Sequence, residues 1–471
     1  MHRDLYINGQ WTDSGVHDEI LDPYTGSIVG TVPIGGAEHV DAAISAATAA
    51  FESTRRLSAF RRRALCRGIA EGIRARADEL ANLICSEAGK PIAFARGEVS
   101  RAASTFTLAA EELSRFGGEV IPVDIEEAFE GYECVMRRFP IGPISAIAPF
   151  NFPLNLVAHK VAPALAVGSS VVLKPAPQAP LTALALAEIV DAAGALPGQF
   201  NVVHCMPVDA ERLATDDRPA MLSFTGSARV GWHLRGVAGR KRVTLELGGN
   251  AGAIVDADAE LDWAVRRSVL GSFAYAGQIC ISVQRLLVHD AVYAEFRDRF
   301  VDATGSLAVG DPKDPATIAG PVIDEAAAGR IIAWVDEARA AGARVLTGGT
   351  REGRLVQPTV IESAAPELKV SCEEVFGPVV VLDRFGDFDE ALERVNASKY
   401  GLQAAVFSND AKRIRRAFET LEVGGVIVND YPMVRVDNFP YGGVKASGRG
   451  REGVRYAMEE MTEPRVLVSR G

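Results

Sequence analysis

Two side chains 34 residues apart have the means to work on a carbonyl carbon. One is the carboxylate of Glu246, within Thr244-Leu-Glu-Leu-Gly-Gly249. The other is the thiol of Cys280, which closes Gly277-Gln-Ile-Cys280. A thiolate is a strong nucleophile toward a carbonyl carbon, and a nearby carboxylate can activate water to release an acyl group. The pair points to oxidation of an aldehyde through a thioester. Glu246 lies inside the apolar run Val243 to Leu247, where burial would raise its pKa toward the range a base needs near neutrality. The competing assignment is a buried glutamate in a structural ion pair.

A third group is Asn151, between two aromatics in Pro149-Phe-Asn-Phe-Pro153. Its amide could donate to the oxyanion of a tetrahedral intermediate, with the Cys280 backbone N–H as second donor. The simpler role is an N-cap for a helix starting at Pro153. The other cysteines carry no such signal. Cys66, Cys85 and Cys205 sit on apolar runs and read as small buried hydrophobes, and Cys134 and Cys372 read as bystanders. With no CxxC pairing, neither a disulfide framework nor a metal site is suggested.

These groups need a scaffold. From about Val40 to Phe116 the pattern is helical, with Gly89-Lys-Pro91 breaking two long helices. Strand-like runs then alternate with helical ones. Strands are predicted at 144–148, 170–174, 200–203 and 221–225, and again at 253–255, 285–289, 378–382, 404–408 and 426–429. The alternation predicts parallel βαβ units, hence an α/β fold with two open sheets, the second domain starting near Gly248. The alternating run 130–139 and the tail 462–469 read as two exposed edges, which pairing with another subunit would cover. Lys174 ends a predicted strand, where open α/β sheets bind ligands. Gly226 and Ser227 open a helix whose N–H groups suit a pyrophosphate, although this is not the GxGxxG pattern.

Seven motifs occur in order: Pro149-Phe-Asn-Phe-Pro153, Lys174-Pro-Ala176, Phe224-Thr-Gly-Ser-x-x-Val-Gly231, Leu245-Glu-Leu-Gly-Gly249, Gly277-Gln-Ile-Cys280, Glu373-Glu-Val-Phe-Gly-Pro378 and Pro440-Tyr-Gly-Gly-Val-Lys-x-Ser-Gly448. In this set the chain resembles the aldehyde dehydrogenase superfamily over almost its whole length. The resemblance implies a Rossmann-like cofactor domain (1–118 and 141–247), a catalytic domain (248–447), and a small β bridging element (119–140 and 448–471) that pairs subunits into a homodimer or homotetramer. It implies Cys280 as nucleophile, Glu246 as general base and Asn151 as oxyanion donor. NAD or NADP would be held by Ile147, Ala148, Pro149, Phe150, Lys174, Ala176, Pro177, Gly226, Ser227, Val230, Leu247, Glu374 and Phe376, with Glu373 a surface charge. NAD-preferring relatives often carry a glutamate where this chain has Pro177, so no carboxylate there repels a 2′-phosphate and both cofactors remain open.

The resemblance places Phe152, Ile279, Ile281, Arg101 and Arg435 around the substrate tunnel. It is nearest in kind to the branch of lactaldehyde, phosphonoacetaldehyde and non-phosphorylating glyceraldehyde-3-phosphate dehydrogenases. Two arginines suit a phosphate or carboxylate tail, although Ile279 stands where some anion-handling relatives have a further arginine. The expected substrate is a short aldehyde with a polar or anionic tail. The alternative is that Arg101 and Arg435 pair with acids such as Asp437 and the pocket is aliphatic. A CoA-acylating enzyme and a silent member of the fold are the other functional readings.

Bulk composition fits. The chain has 471 residues, enough for two domains. A net charge of −11 leaves no basic excess for nucleic acid. No apolar leader and no bilayer-length apolar run are seen, so a cytoplasmic location without membrane partners is expected.

Overall fold

The computed structural model describes residues 1–471. One sheet of eight strands runs in the order Gln10–Thr12, Leu5–Ile7, Phe200–Val202, Val171–Lys174, Ile144–Ile147, Met221–Thr225, Arg242–Glu246, Gly448–Arg449. The five strands from Phe200–Val202 to Arg242–Glu246 are mutually parallel, as βαβ crossovers require. Their register decides what the sheet offers at its carboxyl edge. Lys174 pairs with Ile147, and Glu246 with Thr225. Lys174 and Glu246 therefore emerge on the same rim, with Ile147 and Thr225 between them.

Two helices, one wholly and one mostly buried, pack on this sheet. Asn155–Val167 is buried at every position, and Leu181–Ala192 at nearly every one. Helices buried nearly all round belong inside a large core. The helical stretch expected from Val40 to Phe116 is four helices: Ala37–Thr54, Ala59–Ala75, Ala77–Ala88 and Ile92–Glu112. Gly89 breaks the last pair in the left-handed conformation at φ 63°.

The second sheet has seven strands, Arg344–Thr347, Thr359–Glu362, Val379–Phe385, Val283–His289, Ala251–Val255, Gln403–Phe407 and Gly425–Val428. All pairs are parallel except the first. All five strands anticipated here form, with ends shifted by a few residues. A third sheet is antiparallel and joins Gly118–Ile121, Tyr132–Pro140 and Thr462–Arg470. It leaves Val120, Val466 and Leu467 exposed.

Residues 448–461, grouped with the bridging element in the sequence reading, pack on the first sheet. Gly448–Arg449 pairs with Arg242–Glu246. The helix Val454–Glu460 sends Val454 and Met458, with Met461 just beyond, into the first core. Their helical spacing makes one apolar stripe, which only that core can bury.

Candidate active site

The nucleophile candidate sits on a strained turn. Tyr275 and Ala276 adopt φ 52° and 51°, a left-handed conformation that costs non-glycine residues about 1–2 kcal/mol each. Gly277 follows at φ 66°, and a Cβ there would lie 2.2 Å from the Gly377 carbonyl oxygen. Only glycine fits. The strain is held by the Tyr275 hydroxyl, which donates to the Ala88 carbonyl at 2.8 Å, and by Gln278, whose Oε1 accepts from the Ile323 N–H at 2.9 Å. Cys280 then projects into a cavity of about 550 Å³ with Phe152, Ile279, Ile281, Arg101, Arg435 and Tyr441 among its walls.

Asn151 is buried, and its Nδ2 donates to the Gln278 carbonyl at 2.9 Å. The N-cap expectation is not met, because the following helix starts at Asn155 and Leu154 caps it without a side-chain bond. Glu98 serves that end instead, accepting from the backbone N–H groups of Leu154 and Asn155 at 2.9 and 3.0 Å. An amide nitrogen has two hydrogens, so one remains on Asn151. The backbone N–H of Cys280 makes no hydrogen bond within the chain.

Glu246 is 3% exposed, and neither carboxylate oxygen has a hydrogen-bond partner. It packs against Gly442, where a Cβ would meet Oε1 at 2.8 Å. Burial, then the neighbouring Glu452, push its pKa well above the usual carboxylate range, against the opposing pull of Arg435 and Lys160. Behind it Lys160 donates to Thr225 Oγ1 at 2.7 Å and to Glu452 Oε1 at 3.2 Å. Burial pushes the Cys280 thiol up to about 12. The Tyr441 hydrogen bond opposes this, and Glu374 and Glu246 reinforce it. A resting thiol therefore needs a base.

The two cavity arginines are both paired. Arg101 reaches Asp437 at 2.6 Å, which also meets His159 at 3.0 Å. Arg435 reaches Glu452 at 2.8 Å, with Asp437 farther off at 3.9 Å. Yet each guanidinium keeps a buried Nε–H without an acceptor. Unmet buried donors are uncommon and costly.

The residues expected to hold a dinucleotide gather on the rim beside this cavity. Lys174 is buried, its ammonium meets no carboxylate, and burial lowers its pKa. Ile147, Ala148, Ala176 and Leu247 are buried, Pro149 and Phe150 half-buried, and Pro177 exposed. Ser227 caps the helix Ala228–Val237 without a side-chain bond, leaving the first N–H groups open, and Val230 is exposed on its first turn. Gly226 lies against Phe224. Gly231 is required by Leu247, whose Cδ2 a Cβ would approach to 2.3 Å. Glu374 accepts from the Gly249 N–H at 3.0 Å, and burial takes its pKa up to about 7. Phe376 meets Phe150 edge to face at 5.9 Å. Glu373 pairs with Lys399 at the surface. An open helix N-terminus, an unpaired buried ammonium and a carboxylate near Cys280 fit a phosphate-bearing dinucleotide with ribose hydroxyls.

Tyr441, Lys160, Glu452 and the buried Lys90–Glu98 pair are absent from the sequence-based list. Lys160 had a signal, a lone charge in an apolar helix. Tyr441 lies inside a quoted motif.

The fold and this constellation define an NAD(P)-dependent aldehyde dehydrogenase. The model of the aldehyde dehydrogenase family matches residues 11–467, and the chain belongs to that family. It is 42% identical to a 3-sulfolactaldehyde dehydrogenase of Priestia aryabhattai, over 98% of this chain and 97% of the relative. It is 38% identical to a lactaldehyde dehydrogenase of Methanocaldococcus jannaschii, over 98% and 99%. Among solved structures it resembles aldehyde dehydrogenase 21 of Physcomitrella patens in complex with the reaction product succinate. The TM-score there is 0.97 and the identity 44%, covering 100% and 98% of the two chains. It also resembles the glyceraldehyde-3-phosphate dehydrogenase of M. jannaschii complexed with NADP, with TM-score 0.93 and 37% identity over 96% and 99%. No helix is long and apolar enough to cross a membrane.

Proposed function

We propose that this enzyme oxidises a short aldehyde with a polar or anionic tail to its carboxylate. The observation that carries the reading is the pair of buried, acceptor-less Nε–H groups of Arg101 and Arg435 on the wall that also presents Cys280. A carboxylate, sulfonate or phosphonate tail would satisfy both donors. The relatives named for 3-sulfolactaldehyde and lactaldehyde, and the structure holding succinate, support a small polar substrate.

In this reading the Cys280 thiol gives its proton to Glu246 or to water and its sulfur adds to the carbonyl carbon, while Phe152, Ile279 and Ile281 wall the chain of the substrate. The free hydrogen of Asn151 Nδ2 and the Cys280 backbone N–H receive the developing oxyanion. Lys174, the Ser227 helix end, Glu374 and Phe376 would hold NAD or NADP, which when bound would supply the electron acceptor for oxidation to the acyl level. Glu246 then takes a proton from the water that opens the thioester, and its raised pKa suits that role. Lys160 and Glu452 stand behind it to relay or balance that charge.

The cofactor unit would be residues 1–118 and 141–247 with 448–461 added, and the catalytic unit 248–447. The three-stranded sheet would join subunits into a homodimer or homotetramer, covering its exposed Val120, Val466 and Leu467.

The test is Arg101→Ala with paired substrates. KM for succinic semialdehyde should rise by about 10-fold or more, the value of one charge-assisted hydrogen bond, while KM for propanal changes little. Equal effects on both would remove the tail contact.

A further inference from the structure

The Tyr441 hydroxyl has a single hydrogen-bond partner in the chain, the Cys280 sulfur, at 3.4 Å. The side chain is held so that it can reach little else. It is 2% exposed. Backbone bonds tie Tyr441 and Glu452 in both directions, at 2.9 and 2.6 Å. Glu452 in turn holds Arg435, whose guanidinium carbon lies 3.7 Å from the Tyr441 ring centroid. The ring packs with Ile281 and Leu402. The phenol is thus clamped between a cation on its face and a thiol at its tip.

The thiol needs this contact. Cys280 is half-buried, with two carboxylates, Glu374 and Glu246, close enough to oppose its ionisation, and only Tyr441 and Arg435 act the other way. Burial and the adjoining sulfur raise the Tyr441 phenol well above its ordinary value, so it keeps its proton and acts as a donor.

We propose that Tyr441 is a further catalytic residue of this enzyme. Its hydroxyl donates to the Cys280 sulfur and stabilises the thiolate that attacks, and Arg435 over the ring strengthens the donor by drawing electron density from the phenol. The thiol proton passes to Glu246 or to water; as the C–S bond forms, the sulfur lone pair becomes that bond and the carbonyl π pair moves to oxygen. The tyrosine proton stays on tyrosine throughout, and its bond to sulfur weakens as the charge leaves. Arg435 therefore serves the nucleophile as well as the substrate tail. This rests on Cys280 being the nucleophile.

The experiment is the pH dependence of Cys280 alkylation by iodoacetamide, followed on the Cys280 peptide of the whole enzyme without aldehyde or cofactor. Tyr441→Phe keeps the packing and removes only the donor. Its alkylation should slow about tenfold at pH 8, the consequence of a thiol pKa about one unit higher. kcat/KM should fall in parallel, with KM for the aldehyde little changed. Arg435→Lys should slow alkylation more when Tyr441 is present than in the Tyr441→Phe background, where only the direct pull of the cation on the sulfur is left. Superimposable alkylation profiles for wild type and Tyr441→Phe would overturn the proposal, as would an equal effect of Arg435→Lys in both backgrounds. Failure of the nucleophile assignment is separately visible, because Cys280→Ser would then retain turnover.

Discussion

The Asn151 side chain and the Gln278 carbonyl, joined at 2.9 Å, tie the loop after Ile144–Ile147 to the turn that carries Cys280. One bond thereby sets the distance between the proposed oxyanion donor, Asn151, and the proposed nucleophile, Cys280. Asn151→Ala removes the tie and the donor together. kcat should fall by about 10²–10³, the usual cost of one oxyanion donor. KM should change little, because the donor acts on charge that develops only in the transition state. Steady-state kinetics with one good aldehyde would check this.

Beneath both loops lies a buried ion pair. Lys90 and Glu98 are 0% and 2% exposed and bonded to each other. Glu98 also caps the backbone at Leu154 and Asn155, and the Lys90 ammonium sits 3.4 Å from the Phe152 ring centroid and 4.9 Å from that of Tyr275. Burial brings Lys90 down to about 8, even with Glu98 pulling it up. Glu98→Ala should destabilise by about 3–5 kcal/mol at pH 7, since it strands a buried ammonium. A lysine whose folded pKa is below its ordinary 10.5 favours the unfolded chain at low pH. That penalty fades as pH rises from about 8 toward 10.5. The Glu98→Ala deficit in urea unfolding should therefore shrink at alkaline pH, and Lys90→Met combined with Glu98→Gln should recover much of it.

Gly277 faces the Gly377 carbonyl and so spaces the Cys280 turn from the Glu374–Phe376 segment. Gly277→Ala should force the two apart and lower kcat/KM by about 10²-fold, the cost of a misplacement near 1 Å. Gly236→Ala is the control. Gly236 faces open space inside the helix Ala228–Val237, and alanine there should stabilise by about 0.5–1 kcal/mol. Paired activity and thermal-melt measurements would separate spacing from general damage.

Much of this was legible in the sequence. Short β-rich runs alternating with helical ones placed the central strands, and the motif order marked Cys280, Glu246 and Asn151. Contacts distant in sequence were not legible. Nothing local tells Arg435 to choose Glu452 over the nearer Asp437; the Tyr441–Glu452 backbone pairing brings that carboxylate across. The strands Leu5–Ile7 and Gln10–Thr12 are too short for a period to show. The break at Arg76, which ends one helix and starts the next, carries no glycine or proline to announce it. The packing of residues 448–461 on the first sheet was not legible either, because their apolar stripe names a core only once that sheet is built.

The proposed reaction runs through a covalent bond to Cys280, and Glu246 completes it. Glu246→Gln should retain formation of the acyl enzyme and lose its hydrolysis. In wild type, steady turnover should rise with pH as the carboxyl, held high by burial, releases its proton. That limb should vanish in the variant. The decisive measurement is rapid mixing of Glu246→Gln with aldehyde and cofactor, followed at 340 nm and by mass spectrometry of the quenched protein. The expected result is one equivalent of reduced cofactor per site, little further turnover, and an acyl mass on the peptide holding Cys280. Undiminished steady turnover, or a burst with no adduct on Cys280, would contradict it.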